Sequence, residues 1–278
     1  MSSIPSVPLN DGQRIPQLGL GMWQVADADV PRVLGTAFEL GYRHIDGAAA
    51  YGNEEGLGRA IHASGLPRSE LFVTTKLRNP DQGRERALKA LDASLAKLGL
   101  DYVDLYLIHW PCPRHDRFVE SWEALMKARE AGKVRSIGVS NFRAQDIERV
   151  VAATGVVPVV NQIELHPMLQ QVELSAYNKT HGIVTEAWSP LAHGGALLAD
   201  QALQTIAAKH GKTTAQITLR WHIQAGRVIF PKSATPARID ENAAIFDFAL
   251  DADDIAGIDA LDNGTRLGPD PADYEDMG

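Results

Sequence analysis

Hydrophobic residues recur at helical spacing along the chain, and each helical stretch ends at a glycine before a short β-rich run. Leu88, Leu91, Leu95 and Leu98 form one such stripe, and Gly99 separates it from the run DYVDLYLIHW. Apolar positions three or four residues apart indicate the buried face of a helix. Glycine suits the position after a helix because that position commonly has a positive φ. The pattern therefore predicts helices that alternate with strands.

The β-rich runs number eight, and several of them are apolar almost throughout. Strands that alternate with helices pair in parallel, and strands covered on both faces appear as continuous apolar runs. Eight strand–helix units in 278 residues predict an α/β fold, a closed (β/α)8 TIM barrel. A doubly wound open sheet is the competing arrangement. The predicted strands are Leu18–Met22, His44–Asp46, Leu71–Lys76, Val103–His109, Arg135–Val139, Val159–Glu164, Val184–Trp188 and Val228–Phe230.

Two terminal segments add to the predicted barrel. The stretch from Val7 to Ile15, with turn residues Asn10–Gly12, predicts a hairpin before the first strand. The stretch from Leu267 to Met277 is short and acidic, and we expect it to lie as a tail over the barrel. No break in composition and no linker divides the chain, so we expect one domain over residues 1–278.

Composition excludes several classes of protein. Hydrophobic residues make up 45% of the chain and charged residues 22%, which is typical of globular proteins and not of disordered ones. The net charge of −8 leaves no basic face, so we expect neither nucleic acid nor a membrane as a partner. The single cysteine, Cys112, excludes an intrachain disulfide and a cysteine-based metal cage.

The expected location is the cytoplasm. The first residues, MSSIPSVPLNDG, lack the basic and apolar segments of a signal peptide. The longest apolar stretch, from Val150 to Val160, is interrupted and falls short of the ~20 residues that cross a bilayer. A lone cysteine is compatible with a reducing compartment.

Polar residues stand where several predicted strands end, and the chemistry of a TIM barrel lies at that edge. Asp46, Lys76 and His109 end the second, third and fourth predicted strands. Taken singly, such residues are usually a turn or cap aspartate, a solvated lysine and a hydrogen-bonded core histidine. Their convergence on one face of neighbouring strands favours a catalytic site.

Six ordered blocks of sequence resemble signatures of the aldo-keto reductase superfamily. They are RHIDGAAAYGNEEGLG (43–58), TTKL (74–77), DLYLIHWP (104–111), IGVSNF (137–142), NQIELHP (161–167) and IFPKSATPARIDEN (229–242). The resemblance runs from about Leu9 to Phe248 and is strongest to short bacterial reductases of the 2,5-diketo-D-gluconate reductase type. It implies a TIM barrel, reduction of a small carbonyl compound with NADPH, and a monomer. Gly47 stands where the family usually has threonine, so we expect a looser loop towards Tyr51.

The resemblance implies a catalytic tetrad of Asp46, Tyr51, Lys76 and His109. Tyr51 would give a proton to the developing alkoxide, although the ordinary pKa of tyrosine is near 10. An ammonium about 4 Å away lowers such a pKa by roughly three units at most, so we expect Lys76 to acidify the phenol. Asp46 would hold Lys76, and His109 would donate a hydrogen bond to the carbonyl oxygen.

The cofactor site is predicted partly by exclusion and partly by resemblance. Gly19-Leu20-Gly21 lacks the third glycine of a dinucleotide fingerprint, so a Rossmann-type pyrophosphate site is not expected. The resemblance instead implies NADPH lying across the strand ends. It places nicotinamide stacking at Trp188, the carboxamide at Ser140, Asn141 and Gln162, and further cofactor contacts at Ser189, Pro190 and Leu191.

The segment after the eighth strand predicts recognition of the 2′-phosphate. Lys232, Ser233 and Arg238 surround the start of a short helix, with Thr235 as its cap and Pro236 as its first residue. Two cations, a hydroxyl and a helix N-terminus suit a phosphate dianion, which favours NADP over NAD. The resemblance also assigns Glu241 and Asn242 to the adenine.

Substrate contacts are expected from Met22, Trp23 and Trp110 in the loops over the barrel mouth. No metal site is expected: Glu164 and His166 share one strand face, but no further ligands complete a set. Cys112 is expected to be an unreactive loop residue, because no cation or helix start beside it would lower its pKa.

Two other functions remain open from the sequence. Lys76 could form a Schiff base, as in barrel aldolases, although an adjacent Asp46 favours the charged ammonium. A regulatory barrel that senses a nucleotide with little turnover is a candidate from another class, against which the complete tetrad weighs.

Overall fold

Eight parallel strands form the central sheet of the computed structural model, which describes residues 4–277. They follow one another in chain order, and Leu18 pairs with Ile229 to join the first barrel strand to the last. The sheet is therefore closed, and the predicted (β/α)8 barrel is confirmed. The strands are β1 (Ser6–Pro8), β2 (Arg14–Pro16), β3 (Gly19–Gly21), β4 (His44–Asp46), β5 (Phe72–Leu77), β6 (Val103–Ile108), β7 (Val134–Ser140), β8 (Val160–Glu164), β9 (Val184–Trp188) and β10 (Val228–Ile229), of which β3 to β10 form the barrel.

Eleven α-helices lie within residues 4–277, and most of them connect successive barrel strands. They are α1 (Val30–Glu39), α2 (Glu54–Ala63), α3 (Arg84–Leu98), α4 (Phe118–Glu130), α5 (Ala144–Thr154), α6 (Val172–Thr180), α7 (Gly195–Leu198), α8 (Gln201–His210), α9 (Thr214–Gln224), α10 (Pro236–Ala243) and α11 (Ala252–Asp259). The stripe in α3 is buried at Leu91, Leu95 and Leu98, and Gly99 ends the helix with a φ of 63°, as the spacing predicts. None of these helices is long and apolar enough to cross a membrane.

Side chains alternate between the inside and the outside of the barrel. In β6, Leu105 and Leu107 belong to an apolar cluster inside the barrel, whereas Tyr106 and Ile108 pack in the layer under the helices. The same two-residue period places Lys76 of β5 inside and Leu77 outside. Interior positions are therefore set by strand register alone.

The predicted hairpin, formed by β1 and β2, fills the amino-terminal end of the barrel. Leu9 and Ile15 pack in one cluster with Phe72, Leu107 and Val228 from the barrel interior. This lower half of the interior is apolar. The carboxyl-terminal half is polar, and the candidate site lies there.

Candidate active site

Lys76 is the centre of the polar half of the barrel, where it is fully buried. Its Nζ donates hydrogen bonds to both oxygens of Asp46 at 2.9 and 2.8 Å, to the carbonyl oxygen of Gly47 at 2.8 Å and to the hydroxyl of Tyr51 at 3.4 Å. Asp46 ends β4 and Lys76 lies near the end of β5, so adjacent parallel strands bring the pair together. The predicted convergence at the strand ends is present.

Lys76 carries a charge in this site. Burial on its own would lower the pKa of Lys76, but Asp46 and Tyr51 outweigh burial and raise the pKa above its ordinary value. A Schiff-base lysine needs the opposite shift, because only the free amine attacks a carbonyl. The ion pair with Asp46 and the raised pKa of Lys76 therefore argue against the aldolase alternative.

Tyr51 reaches the site from a 3₁₀ turn, Ala49–Tyr51, directly after β4. Gly47 anchors this loop on both sides, since its N–H donates to the carbonyl of Thr74 at 3.0 Å and its own carbonyl accepts from Lys76. A Cβ at Gly47 would lie 2.9 Å from Leu57 Cδ1, so a threonine here would displace that side chain. The expectation of a looser loop at Gly47 stays a prediction, although both backbone groups of Gly47 are hydrogen-bonded.

The pKa shift of Tyr51 is opposite to the one expected from its neighbour. Burial raises the pKa of the Tyr51 phenol more than Lys76 lowers it, and Asp46 adds to the rise. The expectation of an acidified phenol was wrong because it weighed the ammonium without the cost of moving a phenolate out of water. Tyr51 stays protonated at neutral pH and can give its proton only to a strong base such as an alkoxide.

His109 follows β6 and stands beside Tyr51. The two ring centroids are 5.9 Å apart and the rings are nearly perpendicular, at 74°. Burial lowers the pKa of His109 to about 3, and the Lys76 ammonium acts in the same direction. The imidazole is therefore neutral at physiological pH and can donate one N–H hydrogen bond but not serve as the acid.

The predicted carboxamide-binding residues form one hydrogen-bonded group with Trp188. Asn141 Nδ2 donates to Ser140 Oγ and to the carbonyl of His109, each at 3.0 Å. Asn141 Oδ1 accepts from Trp188 Nε1 at 2.8 Å, and Ser140 Oγ donates to the carbonyl of Gln162 at 3.0 Å. Trp188 is half-buried at the end of β9, so its ring borders the mouth.

Glu186 is a buried carboxyl in this region that the sequence reasoning missed. Gln162 Nε2 donates to Glu186 Oε2 and to Asp46 Oδ1, each at 2.9 Å. Burial raises the pKa of Glu186 to about 8, and Asp46 acts in the same direction. The sequence did carry a signal, because the period of two places Glu186 on the same inward face as Val184 and Trp188.

The loop after β9 reaches Trp23, which follows β3, two strands further around the barrel. Ser189 and His193 both have left-handed backbones, with φ of 50° and 58°, and Ser189 Oγ lies 3.0 Å from His193 Nε2. The His193 ring lies 5.8 Å from the Trp23 ring, centroid to centroid. Pro190 is buried between them and Leu191 half-buried. His193 was not among the predicted residues.

The predicted phosphate segment has the expected start of a helix. Thr235 is the N-cap of α10 and Pro236 its first residue, while Ser233 Oγ accepts from the Thr235 N–H at 3.1 Å. Lys232 and Arg238 are exposed, and neither forms an ion pair with another of residues 4–277. Two unpaired cations therefore flank this helix start.

The two residues assigned to adenine lie on α10. Glu241 accepts a hydrogen bond from Thr213 Oγ1 at 2.5 Å, at the cap of α9, and Asn242 is buried. Thr213 therefore fixes the direction of the Glu241 carboxylate.

The predicted substrate residues divide into two groups. Trp23 is 45% exposed, whereas Trp110 is only 9% exposed and packs against Tyr274 of the tail, with ring centroids 4.4 Å apart and an angle of 51° between the rings. Met22, in contrast, is 0% exposed and packs in the apolar layer under the helices. The assignment of Met22 to the substrate was wrong, because strand alternation turns this residue away from the mouth. Tyr274 lies in the predicted tail but was not singled out, because nothing in the sequence links it to Trp110.

Glu164 anchors the tail. Its buried carboxylate accepts from the N–H of Leu267 at 2.7 Å, from the N–H of Gly268 at 2.9 Å and from His166 Nε2 at 3.0 Å. Gly268 lies so close to Trp188 that a Cβ there would overlap its ring.

Within residues 4–277, no group of three or more His, Cys, Asp or Glu side chains could hold a metal ion.

Cys112 is buried in the loop after β6. Burial raises the pKa of its thiol to about 12, with Glu275 and Asp276 acting in the same direction. The thiol is therefore unreactive at neutral pH, as expected of a loop residue without a cation beside it.

Comparison with known proteins agrees with this architecture. Residues 17–263 match the model of the Aldo/keto reductase family. A methylglyoxal reductase, DkgA, of Salmonella typhimurium is 51% identical over 275 residues, which cover 99% of each chain. A crystal structure of an aldo/keto reductase from Brucella melitensis is 56% identical, covers 94% of this chain and 99% of its own, and has a TM-score of 0.91.

A third relative was crystallised with a nucleotide. The structure of a point mutant of Gox0644 in complex with NADPH is 43% identical, covers 98% of this chain and 99% of its own, and superposes with a TM-score of 0.94. Family model, sequence relatives and solved structures thus agree over nearly the whole length, and the resemblance of the six sequence blocks is confirmed. The chain belongs to the aldo/keto reductase family and is an oxidoreductase of that family.

Proposed function

We propose that this protein reduces a carbonyl group to an alcohol by direct hydride transfer from NADPH, with Tyr51 as the proton donor. The observation that carries the proposal is the buried Lys76 ammonium, which links Asp46 to the Tyr51 hydroxyl. The ring of a neutral His109 packs edge-on against the ring of Tyr51. This arrangement can bind and protonate a carbonyl oxygen that gains negative charge.

Each member of the tetrad has a separate role in this proposal. His109 donates a hydrogen bond to the carbonyl oxygen and fixes its direction, which stabilises developing charge. Tyr51 transfers its proton to that oxygen, and Lys76 stabilises the phenolate that remains until solvent returns a proton. Asp46 holds Lys76 in place and keeps it charged. Positioned proton donation of this kind accelerates a reaction by about 10²–10⁴-fold.

Two features fit a nicotinamide cofactor, which when bound would supply the hydride. Gln162 uses both N–H groups on Asp46 and Glu186, and among residues 4–277 no donor reaches its Oε1, so this acceptor is left for a carboxamide N–H. Lys232 and Arg238 are cations near the start of α10 that form no ion pair within the described part of the chain, which suits the 2′-phosphate of NADPH. The relative crystallised with NADPH supports the same choice.

The substrate proposed first is a small dicarbonyl. Relatives that are methylglyoxal reductases support it at 51% identity. The aromatic side chains of Trp23, Trp110 and Tyr274 at the mouth suit the apolar side of a compact substrate. Simple aldehydes, ketones and ketosugar acids belong to the same reaction class.

The test is a comparison of wild type with Tyr51→Phe. We expect wild type to oxidise NADPH in the presence of methylglyoxal or another carbonyl of a panel, followed at the absorbance of the reduced nicotinamide. Tyr51→Phe should lower kcat by about 10²–10⁴-fold, because the proton donor is lost. Its NADPH dissociation constant should stay within about twofold, since the hydroxyl is not assigned to the cofactor.

Trp23→Phe serves as the matched control, since it alters an aromatic side chain at the mouth without touching the tetrad. Equal activity of Tyr51→Phe and wild type would remove Tyr51 as the acid. Tight NADPH binding without turnover of any carbonyl would instead favour the nucleotide-sensing barrel.

A further inference from the structure

Glu186 is a buried ionisable group that the proposed reaction does not use. It lies in β9 directly opposite Gln162 of β8, and it is 0% exposed. Its Oε2 accepts from Gln162 Nε2, whereas its Oε1 has no hydrogen-bond partner among the described residues. A buried carboxyl lowers the stability of the folded state, because one hydrogen bond only partly offsets its desolvation. Its presence here therefore indicates a role.

Gln162, the hydrogen-bond partner of Glu186, donates from its side-chain amide to two acceptors, Asp46 and Glu186. An amide nitrogen has two protons, and Gln162 Nε2 gives one to Asp46 and one to Glu186, each at 2.9 Å. Rotating this amide by half a turn would set Gln162 Oε1 against the Asp46 carboxylate. Asp46 thus selects the orientation of the amide, and Glu186 fixes the second proton and the plane.

The charges around this group allow such a role. Lys76 is paired with Asp46 and is the cation of the cluster, so it compensates one carboxylate. Glu186 accordingly favours its neutral form, in which the carbonyl oxygen still accepts a hydrogen bond from Gln162. A neutral acceptor orients the amide without adding a second negative charge near Asp46.

We propose that Glu186 is a positioning residue that acts through Gln162: with Asp46 it holds the amide so that Oε1 accepts a hydrogen bond from the carboxamide NH₂ of the nicotinamide. The inference rests on the proposed use of a nicotinamide cofactor. It assigns Glu186 to cofactor recognition and not to proton transfer.

The test compares two nucleotides that differ only at that carboxamide. NADP⁺ carries the NH₂ group, and its 3-acetylpyridine analogue carries a methyl group in its place. Both dissociation constants are measured by isothermal titration calorimetry, so no turnover is needed. Wild type should bind the analogue about tenfold more weakly, the usual effect of leaving one buried acceptor unpaired. In Glu186→Met this ratio of the two dissociation constants, the affinity gap, should fall to about twofold, because the Gln162 amide is no longer held in one orientation.

Three further variants separate this role from a structural one. Glu186→Gln keeps an acceptor oxygen and should keep the tenfold gap. Glu54→Met is the matched control: Glu54 is also buried, accepts one hydrogen bond, from Thr75 Oγ1 at 2.8 Å, and has a second oxygen, 4.0 Å from Lys97 Nζ, without a hydrogen-bond partner among the described residues. It should keep the gap whatever it does to thermal stability. Glu186→Leu replaces Glu186→Met if the latter does not fold.

The outcomes distinguish the two proposals. If wild type binds neither nucleotide, the proposed function fails. If wild type binds both with equal affinity, or if Glu186→Met keeps the tenfold gap, the assignment of Glu186 fails and the proposed function stands. A gap lost equally in Glu54→Met would also overturn the assignment.

Discussion

Burial disfavours the charged form of Lys76, Tyr51 and His109, and neighbouring charges then decide the net shift of each pKa. Burial lowers the pKa of lysine and histidine and raises the pKa of tyrosine. Lys76 stays charged because Asp46 lies 2.8 Å away, whereas no carboxylate within residues 4–277 pairs with His109, which is neutral. One cluster thus holds a cation, a protonated phenol and a neutral imidazole over the whole physiological range of pH.

Arg238 allows a test of phosphate recognition at the scale of one residue. Arg238→Ala should weaken NADPH binding by about tenfold, the effect of losing one charge-assisted hydrogen bond, and leave NADH binding nearly unchanged. Dissociation constants for both nucleotides give the result directly.

The control for this experiment is Arg32→Ala, since Arg32 is an exposed arginine that contacts the carbonyl of Ala234 in the same segment. An equal loss of NADPH and NADH binding in Arg238→Ala would place recognition of the 2′-phosphate elsewhere.

At the scale of elements, the site is built from strand ends and closed by loops distant in sequence. The tail is held by Glu164 of β8 and packs on Trp188 of β9, and its Tyr274 packs against Trp110, which follows β6. The mouth is therefore shaped by a segment more than a hundred residues away from its anchor in the sequence.

The anchor at Glu164 should be sensitive to acid. Burial alone would raise the pKa of Glu164, but His166 and the N–H groups of Leu267 and Gly268 outweigh burial and lower the pKa below its ordinary 4.5. A carboxyl with a lowered pKa stabilises the folded arrangement above its ordinary pKa and loses this contribution as the pH falls. Hydrogen exchange at Leu267 and Gly268, corrected for the intrinsic rate, should accelerate below about pH 4.

Glu164→Gln should show the loosened tail at pH 7, with exchange at both amides faster by about tenfold, because one charged acceptor is lost. Amides of Leu105 and Leu107 in β6 serve as the reference for global opening. Unchanged tail exchange in this variant would show that Glu164 does not hold the tail.

At the scale of the whole molecule, the two ends of the barrel have separate tasks. The hairpin closes the amino-terminal end with an apolar cluster, and the tetrad lies in the polar half at the carboxyl end. Stability and chemistry are thus carried by different layers of one interior. The single-domain extent, the monomeric state and the cytoplasmic location stay predictions.

Ile15→Ala tests this separation. Ile15 is 0% exposed in the hairpin cluster, so the substitution should lower the free energy of unfolding by about 2–5 kcal/mol. The value of kcat/KM at 25 °C should remain within about twofold, because the cavity forms far from the strand ends. Chemical denaturation and initial rates measure the two effects.

Ile15→Val removes a single methyl group and should cost only about 0.5–1.5 kcal/mol. Lost activity with unchanged stability in Ile15→Ala would contradict the proposed division between the two ends.

The sequence by itself determined the order of the elements and the identity of the tetrad candidates. Local rules suffice there: helical spacing and terminal glycines give α3 and its end at Gly99, and the last polar residue of a strand gives Asp46 and Lys76. The bounds of the barrel strands agree with the predicted runs to within one residue. Parallel strands then bring these ends to one edge.

Only the tertiary structure decided which groups meet and in what state of charge. The net pKa shift of Tyr51, the burial of Met22, the bridge from Gln162 to Glu186 and the contact of Tyr274 with Trp110 each depend on distances between segments far apart in the chain. Desolvation and hydrogen bonding act through space, and a linear pattern records neither.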